Sequence, residues 1–461
     1  MDQCGGLYAV KPGLVDPLFK DLGPRQRLYI SHFSNLVCQD LVSFDQQDHN
    51  NPFRSVITLL GSFDYLREII VATSAVHMVT LRRSHGHPHQ RELIDALTAK
   101  GRAYRLLRRA LDQQLDAASL SIVFIAVVFF INFDLIDSGR GSWKTHIEAA
   151  VKLIGSIQGI QQGGAAAAST SITSTTTANI PPGVAQLADL VMADCVTYHI
   201  LGAGFSGAAD NQAAAAAFAG VDVAATLQRA APFSYGCYPP PMLDVLSRAA
   251  RLSAGEGAEA AALLRRLRAV DVRAWVYGIE GLAPNDDREV RVSVACAHRA
   301  ATCLYVVLAV PDVVLYHPVD ADLVGDGGGG GGGDDGGDGG DGAKAAASAA
   351  AAGVEALSRE VLYHLASVPV AHSLAKGLIW PTFMAGAQAE DLASRQWCLG
   401  RMQRIWQSTP WICPWGYIQS AMNMMQRVWE RRDRRLKEGD HGEGMNWLQE
   451  VKATADHVLI V

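Results

Sequence analysis

Gly202, Gly204 and Gly207 sit in the run Gly202-Ala203-Gly204-Phe205-Ser206-Gly207, a glycine spacing that lets a dinucleotide pyrophosphate approach a helix N-terminus. Asp222 follows roughly twenty residues on, where such sites keep the carboxylate that holds a ribose. Three features weigh against that chemistry. Residues 187–199 before the glycines scan as a helix as well as a strand, through Leu187, Leu190, Val191 and Asp194. The alanine run after them offers no large apolar residue until Phe218, and no series of parallel strands surrounds it. Nucleotide binding at residues 202–207 is therefore the alternative and not the expectation.

Other chemistry is scarcer. His85, His87 and His89 alternate in a loop and could chelate zinc, copper or nickel, but no fourth ligand is nearby, so a polar connection is expected. Residues 324–353 interleave aspartates with seven consecutive glycines. They fail as a calcium loop because Val324 stands where a third oxygen ligand is needed and no glutamate closes the loop. Neither His-Glu-x-x-His nor Gly-x-Ser-x-Gly occurs, and no carboxylate pair sits in an apolar frame suited to general acid–base work. No catalytic, cofactor-binding, metal-binding or DNA-binding residue is expected. Basic runs at residues 105–109, 265–268 and 427–437 read as solvated helix faces, with Glu430 four residues before Arg434 as a helical ion pair.

The net charge of −6 argues against a chain whose main task is neutralising phosphates. At 49% apolar and 19% charged residues, the 461-residue chain can bury a sizeable core. Residues 120–133 form the most apolar stretch, yet fall short of the ~18–20 residues of a membrane span, so a buried central helix is expected. The eight cysteines are scattered over apolar faces and read as reduced small hydrophobes of an intracellular protein.

The elements carrying these residues are helical. Tyr29, Phe33, Leu36, Val37 and Leu41 draw one apolar stripe; after a polar break, Asn51-Pro52 starts a second helix burying Phe53, Val56, Ile57 and Leu60. Ser142 is placed to cap a helix through Trp143, Ile147 and Ile154. Asp286 with Glu289 resembles a capping box, opening a helix with Val292, Cys296, Arg299, Cys303, Val306 and Val307 on one face. The expected fold is all-α, a large multi-helix array with disordered low-complexity insertions at 163–182, 207–220 and 324–353. Residues 1–23 are expected to be a disordered N-terminal segment, and 24–461 the helical domain.

Four blocks carry a resemblance: the hairpin closed by Asn51-Pro52-Phe53-Arg54; the helix centred on Ser74, Ala75 and His77; Trp143 preceding a H-x-x-A-A-x-x-L-I run; and a C-terminal block. The last holds Trp380-Pro381, Glu390-Asp391, Arg404 with Trp406, and V-W-x-R-R-D at residues 428–433. In order and spacing they resemble the fungal-specific transcription factor domain, the regulatory region of fungal binuclear zinc-cluster regulators. The resemblance implies a nuclear transcriptional regulator and not an enzyme. It implies a small-molecule effector or transcriptional co-regulator as partner, a homodimer, and no membrane. The family's DNA-binding module clusters six cysteines around two zinc ions, whereas only Cys4 lies within residues 1–37. That module is expected to be absent, with no cofactor in this chain and DNA reached only indirectly or through the missing module.

Overall fold

A helix with no polar face organises the molecule. In the computed structural model, α5 (Ala117–Asp137) buries fifteen of its residues between Leu120 and Ile136. The structure describes residues 19–45, 51–87, 90–167, 182–207, 218, 220–253, 255–282, 286–315, 339–407, 413–439, 446–454 and 458–461, and no strand occurs among them. Asp116 starts α5 by accepting from the Ser119 N–H at 2.8 Å. Thereafter each turn presents Val, Ile or Phe on every side, so only complete enclosure by other helices removes that surface from water.

The enclosure is built from both ends of the chain. α1 (Pro24–His32), a π turn (Phe33–Val37), α2 (Cys38–Asp40) and a 3₁₀ helix (Pro52–Leu59) lead into α3 (Asp64–Ser84), α4 (Gln90–Leu111), α5, α6 (Trp143–Ala167) and α7 (Pro182–Ala203). Next come α8 (Val223–Ala230), α9 (Pro240–Ala249), α10 (Gly257–Arg268), α11 (Val272–Tyr277) and α12 (Arg288–Ala309). α13 (Gly339–Ala366), α14 (Ile379–Gln388), α15 (Leu392–Gln407), α16 (Gly416–Lys437) and α17 (Trp447–Ala453) complete the array. α3, α6, α7 and α16 pack on α5, while α12 is the second centre, contacting α9, α10, α11, α13 and α14. One hydrophobic core joins the two centres. Its C-terminal seam is residues 458–461, where the Leu459 N–H donates to the Gly139 carbonyl at 2.8 Å.

Several local expectations are corrected. The helix after Asn51 is 3₁₀, whose three-residue turn aligns Phe53 with Val56. Asn51 fixes it, accepting from the Phe53 N–H at 3.0 Å and donating to the Cys38 carbonyl at 2.8 Å. The cap of α12 is Asp287, not Asp286. The buried face of α12 is Arg291, Val294, Ala295, His298, Ala301 and Thr302, leaving Val292, Cys296 and Arg299 only half-buried. In its first half small alanines and a hydrogen-bonded histidine define the core side, whereas the expected Cys303, Val306 and Val307 of its second half are buried. By length and composition alone, α5, residues 183–203 and α12 are long and apolar enough to cross a membrane, and α5 exceeds the 14-residue stretch visible in sequence. In α5 and α12, 83% of the apolar window is buried within the protein.

Of the low-complexity segments, residues 168–181, 208–217 and 316–338 lie outside the described residues, as do 1–18. Residues 163–167 close α6, and the polyalanine portion of 324–353 belongs to α13, in keeping with alanine's high helix propensity.

Arg291 ties α12 to the loop after α8 and to Ser43 after α2, and is fully buried. Its Nε and Nη2 donate to the Asp286 carboxylate at 2.7 and 2.6 Å. Nη2 also reaches Ser43 Oγ at 2.8 Å, and Nη1 reaches the Ser234 carbonyl at 3.1 Å. Asp286, with no exposed side-chain surface, balances the charge. Arg291→Met should therefore destabilise by about 3–5 kcal/mol, because it strands a buried carboxylate. Adding Asp286→Leu should recover part of that loss, as read by urea unfolding of the four proteins of the cycle.

Candidate functional site

Gly202 and Gly204 are not a phosphate cradle. Gly202 lies within α7 and Gly204 at its C-terminal turn, with no strand before them among the described residues. A Cβ on Gly202 would stand 2.5 Å from the Trp143 indole, so this glycine exists to let the ring of α6 lie against α7. The Gly204 carbonyl accepts from Tyr305 Oη at 2.9 Å. Gly207 has no neighbour within 4 Å of its would-be Cβ. Asp222 caps α8, accepting from the Ala225 N–H at 2.9 Å.

The remaining candidates disperse. His85 and His87 stack with centroids 6.5 Å apart, and His85 Nδ1 lies 2.9 Å from the Leu81 carbonyl; His89 is outside the described residues. No group of three or more His, Cys, Asp or Glu among the described residues is arranged to hold a metal ion. His77 closes a buried chain, its Nε2 2.9 Å from Asp40 Oδ2 and its Nδ1 2.9 Å from His32 Nε2. An Asp-His-His series resembles a proton relay, but no hydroxyl or thiol nucleophile ends it. In the basic run of α16, Arg432 donates to the carbonyls of Ala387, Gln388 and Ala389, capping α14. Arg435 pairs with Glu450 at 2.8 Å, and Arg395 with Asp433 at 2.9 Å. Much of the run's charge is thus spent inside the fold.

What the structure does bring together is a cleft of about 940 Å³ between α7, α8, α9, α10 and α11. α7 supplies Val196, His199, Ile200 and Ala203; α8 supplies Val223, Ala225 and Gln228. Pro240, Pro241 and Ser247 of α9 form the facing wall, and Phe218 and Trp275 lie at its margins. Phe218 meets His199 edge to face at 5.3 Å, and burial pulls the His199 imidazole down to about 4, leaving it neutral near pH 7. Trp275 is oriented by its Nε1–H, which donates to Gln228 Oε1 at 3.0 Å. Along the rim, Asp244 pairs with Arg248 at 3.1 Å and also with Arg266. An apolar chamber with a few convergent polar groups is the usual form of a small-molecule site.

Behind Trp275 lies a second, water-sized cavity of about 20 Å³, lined in part by Asp194, Thr197, Ser234, Cys237 and Tyr238. Burial pushes the Asp194 carboxyl up to about 8, and the buried Tyr238 hydroxyl has no hydrogen-bond partner. Arg291, through Ser234, fixes the loop that forms this back wall. None of these residues stands out in sequence, because they come from separate helices and their side-chain types are ordinary on helix surfaces. The one available signal is the second aspartate of α7, Asp194, which lies between Ala193 and Cys195 in a largely apolar helix.

Two outcomes follow. Gly202→Ala should lower stability by about 1–3 kcal/mol through overpacking against Trp143, while Gly207→Ala should change little, as measured by urea denaturation. A phosphate cradle would instead leave stability unmoved by either and lose nucleotide binding with both. For Asp194, the folded protein holds a proton between the ordinary 3.8 and about 8 that the unfolded chain releases. Stability from this group is full below about 4 and is lost as pH rises towards 8, so Asp194→Asn should gain on the parent in melting temperature from pH 5 to pH 8.

Comparison with known proteins accords with this architecture. The family model described as the fungal specific transcription factor domain matches residues 27–254 and 346–460. The acriflavine sensitivity control protein acr-2 of Neurospora crassa is 38% identical over 471 residues, covering 98% of this chain and 70% of that protein. No solved structure matches the chain. With family signatures such as Trp143, His77 and Trp380 all buried at helix contacts, the chain belongs to the fungal specific transcription factor domain family and is a fungal transcriptional regulator.

Proposed function

We propose that this chain is the signal-receiving part of a nuclear regulator, that it performs no turnover, and that a small effector entering between α7 and α11 sets its output. One observation carries the proposal: the cleft combines an apolar floor, an oriented indole and charged rim residues. Indirect DNA contact, or contact through a zinc module, is supported by the use of Arg432 and Arg435 within the fold. Independence from membranes is supported by the burial of α5 and α12. A co-regulator or a second copy of the chain would then read the effector-dependent state. The relative's name concerns control of acriflavine sensitivity, and we carry over to this chain the same kind of output, genes that alter tolerance of a toxic compound.

The test is a tagged copy in fungal cells together with Ala225→Phe, which fills the cleft. The proposal expects nuclear signal, and transcripts in the variant strain that no longer change on acriflavine challenge although the parent's do. Cytoplasmic signal under all conditions, or an unaltered transcript response in a variant of normal abundance, would contradict it.

A further inference from the structure

The cleft's charge narrows what it takes. Its lining carries Arg248, Arg251 and Arg266 against a single carboxylate, Asp244. Asp244 is already shared by Arg248 and Arg266. Arg251 sits half-buried just beyond the C-terminal end of α9, where its own N–H donates to the Arg248 carbonyl at 3.0 Å. Among the described residues its guanidinium has no hydrogen-bonding or ion-pair partner, whereas Arg229 on neighbouring α8 is held by both oxygens of Asp189 at 2.8 and 2.9 Å. An arginine left uncommitted over an apolar chamber is a ready partner for a carboxylate or other oxyanion, which it can meet with two parallel N–H donors. The neutral His199 adds no competing charge on the floor, and Trp275 and Phe218 offer planar apolar surfaces.

We infer that the cleft binds an amphipathic organic anion, a flat or aromatic hydrophobic body seated among Ile200, Pro240 and Trp275 with its oxyanion on Arg251. This assignment rests on the effector role proposed for the cleft and adds its ligand class. A cation of the same shape meets a net excess of two positive charges among the lining side chains and is disfavoured.

Three planar tricyclic probes of matched size separate the possibilities: anthracene-9-carboxylate, anthracene-9-carboxamide and 9-aminoacridinium. Each is titrated calorimetrically, at moderate and high salt, into the parent, Arg251→Gln, Arg251→Lys and Ala225→Phe, with helicity checked by circular dichroism. The expected result is one carboxylate bound per chain at least about tenfold more tightly than either other probe, an advantage lost in Arg251→Gln and largely kept in Arg251→Lys. Ala225→Phe should block binding. If the amide or the cation binds as well or better, still blocked by Ala225→Phe, the anion assignment is overturned while the cleft keeps its receiving role. If no probe binds in a manner sensitive to Ala225→Phe, the effector cleft and its ligand class fall together.

Discussion

The structure depends on enclosing a helix that has no side fit for water. Fifteen buried residues on α5 mean that α3, α6, α7 and α16 must all be in place before its apolar surface is removed from solvent. At roughly 1.5–3 kcal/mol for each large apolar side chain buried, this is a large favourable term of the N-terminal half. The close crossings follow from it. Gly202 lets Trp143 lie on α7, and Gly416 lets α16 approach the Asp137 carbonyl at the end of α5. Polar atoms drawn into this centre are matched in part: Tyr198 Oη donates to Asn132 Oδ1 at 3.1 Å and Lys100 Nζ to Asp134 Oδ1 at 2.7 Å, while Asn132 Nδ2 and Asp134 Oδ2 have no hydrogen-bond partner.

Against that rigid centre, the cleft is made of lesser pieces. α8 and α11 have eight and six residues, and α11 buries only Val272 and Val276 in full. Their positions are set through polar ties: Arg229 to Asp189, Trp275 to Gln228, and Arg291 to the Ser234 loop. A ligand in the cleft touches both the core helix α7 and these short helices, so its binding energy can favour one of their arrangements over another. Arg291 also reaches Ser43 beside the N-terminal hairpin, which gives the cleft's back wall a physical route to the opposite end of the chain. A receiver needs such a division between a fixed body and parts that a ligand can bias.

Much of the fold was legible because it is written in hydrophobic period. The apolar run at 120–133 announces a buried helix, and the tryptophan and histidine blocks mark residues the structure buries. Boundaries were less legible where a local bond overrode the pattern, as Asn51 does for the 3₁₀ helix and Asp287 for α12. In the first half of α12 the buried face, Arg291, Ala295 and His298, lies one position from the expected one because alanine and histidine carry little weight in a hydropathy pattern, while Cys303, Val306 and Val307 are buried as expected. The cleft was illegible. Arg251 is one of several similar arginines in sequence, and only the fold shows that Arg248 and Arg266 are paired while Arg251 has no partner among the described residues. The Gly202 motif could be discounted as a phosphate cradle, but its role could not be read, because glycines that admit an indole and glycines that admit a phosphate look alike in one dimension.

Hydrogen–deuterium exchange of the unliganded chain tests the division between fixed centre and biasable cleft most directly. The account predicts that α5 amides exchange only with global unfolding, while those of α8 and α11 exchange at least about a hundredfold faster through local opening. Uniform protection of α8, α11 and α5, or early exchange along α5, would contradict it.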